Sequence, residues 1–449
     1  MYRTLRPHYR ATLRIGLPIA VGQVGVIVMG FADTMMVGHY STSALAAASF
    51  VNNLFTLVTF LMMGYSYGLT PLVSAACGRG NPDEAGKVFR NALSANVAYG
   101  LLLLTGMGVL FFFIDGMGQP AEIIPLVRPY YLVVLCSMLF VLLFNVLRQF
   151  TDGTADTASG MWSLLAGNGL NIVGNYLLIY GIGPFPELGL LGAGISTLFA
   201  RIFTAVMLCG IVMWRKRYAA YRAGFRHART TAGGVAHINS ISLPVSLQMG
   251  METGSFTFSA IMAGWLGMVE QAAFQVMVTV GTLGFLFYYS FGAAMSIRVA
   301  AFVGSGDWLR VRSAAQAGTH ILAVMASISS LAFLLFARPL ICCFTSDPLV
   351  LATSMMLIGP LLLYQFGDAM QICFANALRG TAHVKPMMWI AFVSYVLVGI
   401  PAGWLLGFPF GLGIRGVFLA FSVGLFTAAA LFYQRFRHVL RANLHHAAA

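Results

Sequence analysis

Charged residues are scarce in this chain: only 9% of its 449 residues are Asp, Glu, Lys or Arg, while 59% are hydrophobic. That composition leaves too few polar side chains to cover a water-soluble fold of this length. Continuous apolar runs such as Leu101 to Ile114 also argue against a membrane β-barrel, whose strands alternate in polarity over about ten residues. The sequence therefore predicts an all-α polytopic membrane protein.

Motifs for metal, disulfide and nucleotide chemistry are absent as well. The six cysteines form no C-x-x-C pair and lie mostly in or beside apolar stretches, where cysteine behaves as a small hydrophobic residue. No G-x-x-x-x-G-K-[ST] sequence occurs, so ATP is not the expected energy source. The histidines that an integral-membrane enzyme might use are scattered over several loops and helices (His39, His227, His237, His320 and His383). We therefore expect neither an enzyme nor a cofactor.

What the chain has instead is a series of apolar stretches, each long enough for a spanning helix of roughly 20 residues. Twelve spans are predicted, at residues 13–37, 44–72, 91–114, 129–150, 160–183, 189–213, 238–265, 271–300, 313–337, 350–378, 386–407 and 413–434. The first stretch is long and lacks a small-residue cleavage pattern, so we expect it to remain as a helix and not to be removed as a signal peptide.

Basic residues collect on one predicted side of these spans. With the N-terminus inside, only Arg128, Arg338 and Arg415 fall outside, and Arg201 lies within a span. The positive-inside rule therefore predicts a multi-pass protein of the inner (cytoplasmic) membrane with both termini in the cytoplasm. It also accounts for the net charge of +13 without nucleic acid. The basic run from Arg215 to Arg229 has a composition suited to RNA or lipid head groups, but a topology-setting loop is the favoured interpretation.

The two halves of the sequence resemble each other. At an offset of about 224 to 231 residues, Leu17-Pro18 aligns with Leu243-Pro244, and Asn145 to Arg148 aligns with Asn376 to Arg379. Two six-helix lobes of equal orientation are thus expected, related by a pseudo-two-fold axis along the membrane normal, as in many secondary transporters that work by alternating access. The predicted organisation is an N-terminal lobe (1–213), a cytoplasmic basic linker (214–237), a C-terminal lobe (238–436) and a tail (437–449).

Acidic residues within the membrane are the main functional signal, since each costs several kcal/mol and usually serves a function. Of the 13 acids, only Asp33, Glu252 and Asp368 fall inside predicted spans. Glu252 and Asp368 lie near the middle of their helices and are predicted to share one proton or one sodium ion, with the Tyr364 hydroxyl as a further ligand. For Tyr364 alone, helix-packing polarity is the favoured alternative.

Three asparagines in the fifth span are candidates to contact Asp33. Asn168, Asn171 and Asn175 are spaced i, i+3 and i+7 and share one helix face, so they can offer amide oxygens to a cation beside a carboxylate. The alternative is that they hold helices together and hydrogen-bond a structural acid. Arg201 is open to two interpretations, a buried counter-ion or a side chain that snorkels to the membrane surface.

Several of these motifs carry a family resemblance that spans essentially the whole chain. The stretch from Phe31 to Gly38 resembles the "DT-x-M-x-G" first-helix signature of the multidrug and toxic compound extrusion (MATE) family. Asn171 to Tyr176 is similar to its fifth-helix asparagine pair, and Gly189 to Gly194 to its "G-x-x-G-A" motif. The segment from Tyr364 to Gln371, together with Glu252, resembles the NorM-like branch.

The resemblance implies two sites for ions. Glu252, Asp368 and Tyr364 would form a C-lobe cation site, with sodium as the metal held by the two carboxylates. The implied N-lobe cation or proton site consists of Asp33, Asn171, Asn175 and Thr197. One departure is that Asn175 stands where the related DinF-like branch carries an aspartate, which leaves open the question of which lobe couples transport to the ion.

The function predicted from these features is secondary active efflux of cationic or amphipathic drugs and dyes, in exchange for sodium ions or protons. Asp33, Glu252 and Asp368 would hold the cationic substrate until ion loading neutralises them. We expect a monomer in the lipid bilayer, with no nucleic acid partner and a role in antibiotic resistance. The alternative is a flippase for lipid-linked sugars, which should carry a more basic cavity than three acids and Arg201 provide.

Overall fold

The computed structural model describes residues 2–448, and the side chains of residues 5–444. Residues 2–448 form seventeen α-helices and no β-strand. Helices of the first half are α1 (Tyr2–Tyr40), α2 (Thr42–Ser66), α3 (Leu69–Gly78), α4 (Pro82–Leu110), α5 (Ile124–Gly153), α6 (Thr157–Tyr180), α7 (Gly189–Trp214) and α8 (Ala219–His227). Helices of the second half are α9 (Ala232–Leu266), α10 (Met268–Gly304), α11 (Trp308–Leu335), α12 (Ala337–Cys342), α13 (Pro348–Met356), α14 (Ile358–Gly380), α15 (Lys385–Ala391), α16 (Ile400–Gly407) and α17 (Ile414–Ala448).

Each of the twelve predicted spans lies on one of these helices or on consecutive helices. In the part of the chain that is described, nine spans are long and apolar enough to cross a membrane, and the pair α13 and α14, bent by 51°, would be a tenth. The other two predicted spans lie on α6 and α9. These helices are less apolar because they carry the polar residues of interest, the three asparagines of α6 and Glu252 of α9.

Repeated turn motifs set where helices begin. Gly80 and Gly306, which align in the two halves, have φ angles of +71° and +74°, a conformation that glycine adopts without strain. The next residue caps a helix in each case: Asn81 accepts from the backbone N–H of Glu84 at 3.1 Å, and the Asp307 carboxylate accepts from Arg310 N–H at 3.0 Å. The sequence repeat therefore reproduces the same start for α4 and α11.

Packing divides the chain into two units. The N-terminal unit is Val21–Ser246, and the C-terminal unit combines Met1–Ala20 with Leu247–Ala449. The long helices α1 and α9 each begin in one unit and end in the other, and the change falls two residues after Pro18 in α1 and two residues after Pro244 in α9. A proline inside a helix removes one backbone hydrogen bond and weakens the helix locally.

This division differs from the lobes drawn on the sequence, because the first turns of α1 pack within the C-terminal unit. Arg298 of α10 donates to the His8 carbonyl at 2.6 Å and to the Thr12 hydroxyl at 3.0 Å. Phe291 lies so close to Gly16 that any larger residue there would overlap its ring. Hydropathy alone does not reveal which half a helix end contacts.

The predicted linker and tail are more ordered than the sequence suggests. Lys216–Tyr218 forms a 3₁₀ segment, and α8 packs on α4. The buried Tyr218 hydroxyl donates to Asp156 at 2.7 Å. Burial and the neighbouring carboxylate raise the pKa of Tyr218, so this hydroxyl remains a proton donor. At the other end, α17 continues to Ala448, so the predicted tail is helical up to there; Ala449 lies outside the described residues.

Candidate functional site

In the N-terminal unit, the structure brings all four predicted residues into one chain of side chains. Asn175 of α6 donates to the Asp33 carboxylate of α1, and its amide also contacts Asn171 Oδ1 at 3.5 Å. Asn171 in turn donates to the Thr197 hydroxyl of α7 at 3.1 Å. A polar path thus runs from Asp33 through two buried amides to α7.

Small residues let α6 and α7 approach closely enough for this path to form. Gly174 faces Ser196, whose hydroxyl donates to the Asn171 carbonyl at 2.8 Å. Asn175 Oδ1 and Asn168 Nδ2 are buried and have no hydrogen-bond partner among the described side chains. Buried polar atoms are normally satisfied, so Asn175 Oδ1 is available to a cation or a hydrogen-bond donor and Asn168 Nδ2 to a hydrogen-bond acceptor.

Arg201 provides a positive charge near this group. It donates to the Ser137 hydroxyl of α5 at 2.6 Å, and it interacts electrostatically with Asp33 and Tyr130. Arg201 is partly buried, and its guanidinium contacts Ser137 and Met138, so it acts on Asp33 as a nearby charge and not through an ion pair. Asp33 therefore has one neutral donor and one cationic neighbour.

In the C-terminal unit, Glu252 of α9 and Asp368 of α14 are close enough to interact electrostatically. Glu252 Oε2 accepts from Gln248 at 3.2 Å and from Gln371 at 3.5 Å. Asp368 is 1% exposed, and its Oδ2 has no partner among the described residues. Two carboxylates in one apolar interior repel each other, so a bound cation or proton would relieve the repulsion.

Tyr364, the third predicted residue of this site, lies one turn before Asp368 and interacts electrostatically with both carboxylates. Its ring also packs in an aromatic cluster, which makes it a packing residue as well. The cluster partners are Phe256, Phe418 and Phe421, with ring centroids 6.0–6.3 Å from that of Tyr364.

Two oxygen atoms around the carboxylates, Asp368 Oδ2 and Gln371 Oε1, lack hydrogen-bond partners within residues 5–444. The Tyr395 hydroxyl interacts with Glu252 and Gln371, and Tyr395 lines a small cavity together with Glu252. Tyr395 belongs to a π-helical segment, Phe392–Gly399, a distortion frequent at functional sites. Carboxylate, amide and hydroxyl oxygens suit a hard cation such as sodium. Among the described residues, no group of three His, Cys, Asp or Glu side chains could hold a metal ion. An ion at this site would therefore need carboxylate, amide and hydroxyl oxygens together.

Sequence reasoning missed Gln248, Gln371, Tyr395 and Arg379. Arg379, which follows directly after the tenth predicted span, is 7% exposed and donates to Gln248 at 3.3 Å and to Asn376 at 3.2 Å. Gln248 lies one turn before Glu252 on the same helix face, and that spacing was the available signal. The burial of Arg379 had no such signal, because it depends on the packing of α14.

Together, the repeated apolar helical halves and the acids carried within them are typical of a polytopic membrane transporter. A model of the MatE family matches residues 18–177 and 244–405, one match in each half. The chain belongs to this family, the multidrug and toxic compound extrusion (MATE) family. Both matches begin at the repeated prolines, Pro18 and Pro244, which confirms the internal repeat.

Relatives in several bacteria cover nearly the whole chain. "Probable multidrug resistance protein NorM" of Xylella fastidiosa (strain 9a5c) is 30% identical over 433 residues, which is 96% of this chain and 92% of that protein. The protein of the same name from Acinetobacter baylyi is 27% identical over 93% of each chain. The predicted NorM-like branch of the family is therefore confirmed.

Solved structures confirm the fold of two six-helix lobes. One, titled "Outward-facing conformation of a multidrug resistance MATE family transporter of the MOP superfamily", has a TM-score of 0.88 at 19% identity and covers 97% of this chain and 96% of its own. Another has a TM-score of 0.88 at 20% identity with the same coverage. Its title reads "Reverse polarity of binding pocket suggests different function of a MOP superfamily transporter from Pyrococcus furiosus Vc1 (DSM3638)".

Proposed function

We propose that this protein is a multidrug efflux antiporter, which exports cationic or amphipathic compounds in exchange for sodium ions or protons by alternating access. The observation that carries the proposal is the pair of neighbouring carboxylates, the partly buried Glu252 and the buried Asp368, where Asp368 Oδ2 and Gln371 Oε1 have no hydrogen-bond partner among the described residues. Names of the bacterial relatives, which describe multidrug resistance proteins, support the substrate class.

The two units offer different ligands to a coupling ion. The oxygens around Glu252 and Asp368 in the C-terminal unit suit sodium, because sodium binds several oxygen ligands at once. Asp33 in the N-terminal unit has one amide donor and a nearby arginine, and a single carboxylate in that setting suits a proton. Both sites are therefore assigned to ion coupling, each for its own ion.

Exchange follows if the ion and the drug stabilise opposite states of the transporter. A cationic drug is attracted to unneutralised Asp33, Glu252 or Asp368, and an arriving ion neutralises the same carboxylates and weakens that attraction. The differential affinity of each ligand for the two states sets how far the equilibrium shifts. No covalent chemistry is involved.

A flippase for lipid-linked sugars is the second candidate, because a transporter of the same fold is described with a pocket of reversed polarity and a different function. Such a protein needs positive charge to hold a pyrophosphate. Here each unit combines acids with one arginine near them, Arg201 or Arg379. The acids at Glu252 and Asp368 favour a cationic substrate over a pyrophosphate.

The test is efflux of ethidium from proteoliposomes under an imposed sodium gradient or, separately, an imposed pH gradient. We expect Asp368→Asn to reduce sodium-driven efflux by at least tenfold and Asp33→Asn to reduce proton-driven efflux by a similar factor, because each substitution removes the charge that binds the ion. Asp115→Asn is the matched control, since this acid is exposed and pairs with Arg128.

Two outcomes would contradict the proposal. If neither gradient drives dye movement in vesicles that contain folded protein, the drug-antiporter function fails and the flippase becomes the leading candidate. If both gradients still drive efflux at full rate in both variants, the assigned carboxylates are not the coupling sites.

A further inference from the structure

A cavity of about 390 Å³ lies in the C-terminal unit, away from Glu252 and Asp368, and has no part in the proposed exchange. Three helices form it: α11 and α17 provide the walls, and Phe374 and Ala377 of α14 contribute further lining. It adjoins residues 312–319 of α11 and 433–444 of α17. The charge pattern predicts that these helix ends face the cytoplasm.

Three arginines surround this cavity, namely Arg312, Arg437 and Arg441. All three are exposed, and none forms a salt bridge with an acid among the described side chains. The nearest candidate along the sequence, Asp307, pairs with Arg310 at 3.1 Å. Three guanidinium groups around one cavity repel each other, so an anion bound between them would be stabilised.

The rest of the lining is apolar and aromatic. Tyr433, Arg437, Arg441 and Leu444 are spaced by three or four residues and therefore share one face of α17. The Tyr433 ring packs on Phe374 with a centroid distance of 4.9 Å. Phe436 and Leu440 complete an apolar wall next to the charges. The arrangement joins a cationic rim to a hydrophobic surface.

This combination matches an amphiphile with a phosphate group. Guanidinium groups bind phosphate oxygens through paired hydrogen bonds, and an apolar wall would receive an acyl chain. Basic pockets between membrane helices on the cytoplasmic side commonly hold anionic lipid head groups. The volume also exceeds what one free phosphate needs, so the lipid is favoured over inorganic phosphate.

We propose that the cavity lined by Arg312, Arg437 and Arg441 is a binding site for an anionic phospholipid of the cytoplasmic leaflet. The phosphate lies between the three guanidinium groups, and an acyl chain follows Phe374 and Phe436. Bound there, the lipid links α11 to α17 across α14 and stabilises the C-terminal unit.

The site can be tested by native mass spectrometry of the purified full chain, titrated with phosphatidylglycerol, phosphatidylcholine or inorganic phosphate. Wild-type protein is expected to bind phosphatidylglycerol at least tenfold more tightly than phosphatidylcholine. Because each arginine near an anionic head group contributes about fivefold, Arg437→Gln should weaken binding about fivefold. The triple variant Arg312→Gln, Arg437→Gln and Arg441→Gln should lose the preference for phosphatidylglycerol.

A second triple variant serves as the matched control. Lys216, Arg226 and Arg229 of the linker are exposed, and their replacement by Gln removes the same charge without touching the cavity. This control should prefer phosphatidylglycerol over phosphatidylcholine as the wild-type protein does. Added phosphatidylglycerol should also raise its melting temperature by as much as it raises that of the wild-type protein.

Four results would overturn the site. The first is equal binding of the two lipids by the wild-type protein, a comparison that does not depend on any variant. The second is an unchanged preference in the cavity variant, and the third is an equal loss in the control, which would indicate non-specific surface attraction. The fourth is protection by inorganic phosphate as strong as that by phosphatidylglycerol, which would assign the cavity to a free anion.

Discussion

Arg148 and Arg379 occupy equivalent positions in the two sequence repeats, and both are largely buried. Arg148 lies 3.7 Å from Asp152 in an ion pair. Arg379 donates to Gln248 and interacts electrostatically with Glu252. In the register that superposes Pro18 on Pro244, Gln248 corresponds to Gly22, which has no side chain to offer Arg148. The second half has thus gained a side chain that connects a buried arginine to the acid of the candidate ion site.

This connection predicts that Arg379 sets how tightly the coupling ion binds. Arg379→Gln removes a positive charge that competes with the ion for Glu252, so the half-saturating sodium concentration should fall roughly fivefold, on the order of 1 kcal/mol. Turnover should fall as well, because a more tightly held ion leaves more slowly. The sodium dependence of dye efflux in proteoliposomes measures both.

Arg379→Lys provides the comparison that separates charge from structure. It keeps the charge and should retain a sodium dependence near that of the wild-type protein, while Arg310→Gln controls for the loss of an exposed arginine. Identical sodium dependence in the Gln and Lys variants would mean that the charge of Arg379 does not act on the site.

Which side chains meet could be predicted from the sequence only in part. The spacing of Asn171 and Asn175, and the cost of an acid in the membrane, indicated the group around Asp33, and the structure brings its members together. Helix spacing cannot show the burial of Arg379 at the end of α14. That burial depends on Gly380, which lets α14 approach the Ser296 carbonyl of α10.

A pair of glycines holds the linker helix α8 against α4. A Cβ on Gly86 would overlap the carbonyl oxygen of Tyr221, and a Cβ on Gly224 would overlap that of Asp83. The two backbones are therefore in direct contact. Arg90 strengthens this contact by donating to the Phe225 carbonyl at 3.1 Å.

Substitution at this contact should destabilise the protein. Gly86→Ala puts a methyl group into backbone atoms that cannot move aside, so we expect a loss of about 1–3 kcal/mol, measured as a lower melting temperature in detergent. Gly106→Ala in the same helix is the matched control, because a Cβ there meets nothing within 4 Å. It should be neutral or stabilising, since alanine favours a helix over glycine. Equal melting temperatures for the two variants would contradict the close contact.

The sequence predicted this linker only as a basic loop, and the physical reason is that α8 has no long apolar run. Its position depends on the absence of side chains at two distant glycines and on one buried tyrosine, Tyr218. Hydropathy reports how apolar a segment is, but it does not report how closely two backbones can approach. The long spans were predictable for the opposite reason, since each is defined by its own apolar residues.

Two helices, α1 and α9, belong to both packing units, and this sharing follows the internal repeat. The change of unit comes two residues after Pro18 and two residues after Pro244, and the two family matches begin at these same prolines. Each unit is therefore built from one half of the chain plus the beginning of a helix that continues into the other. The candidate acids Asp33 and Glu252 both lie on these shared helices, after the proline.

Orientation in the membrane can be tested on the whole molecule with its own cysteines. Cys342 and Cys343 are exposed, and the charge pattern predicts that they face outward, whereas the exposed Lys216 of the linker should face the cytoplasm. A membrane-impermeant maleimide added to spheroplasts should label the wild-type protein at once. A second protein carries Lys216→Cys, with Ser in place of Cys342 and Cys343, and should be labelled only after the membrane is permeabilised. Cys136 is present in both proteins and lies within α5. The reverse pattern would invert the topology and place the arginine-lined cavity on the outer face, where an anionic lipid of the cytoplasmic leaflet cannot reach it.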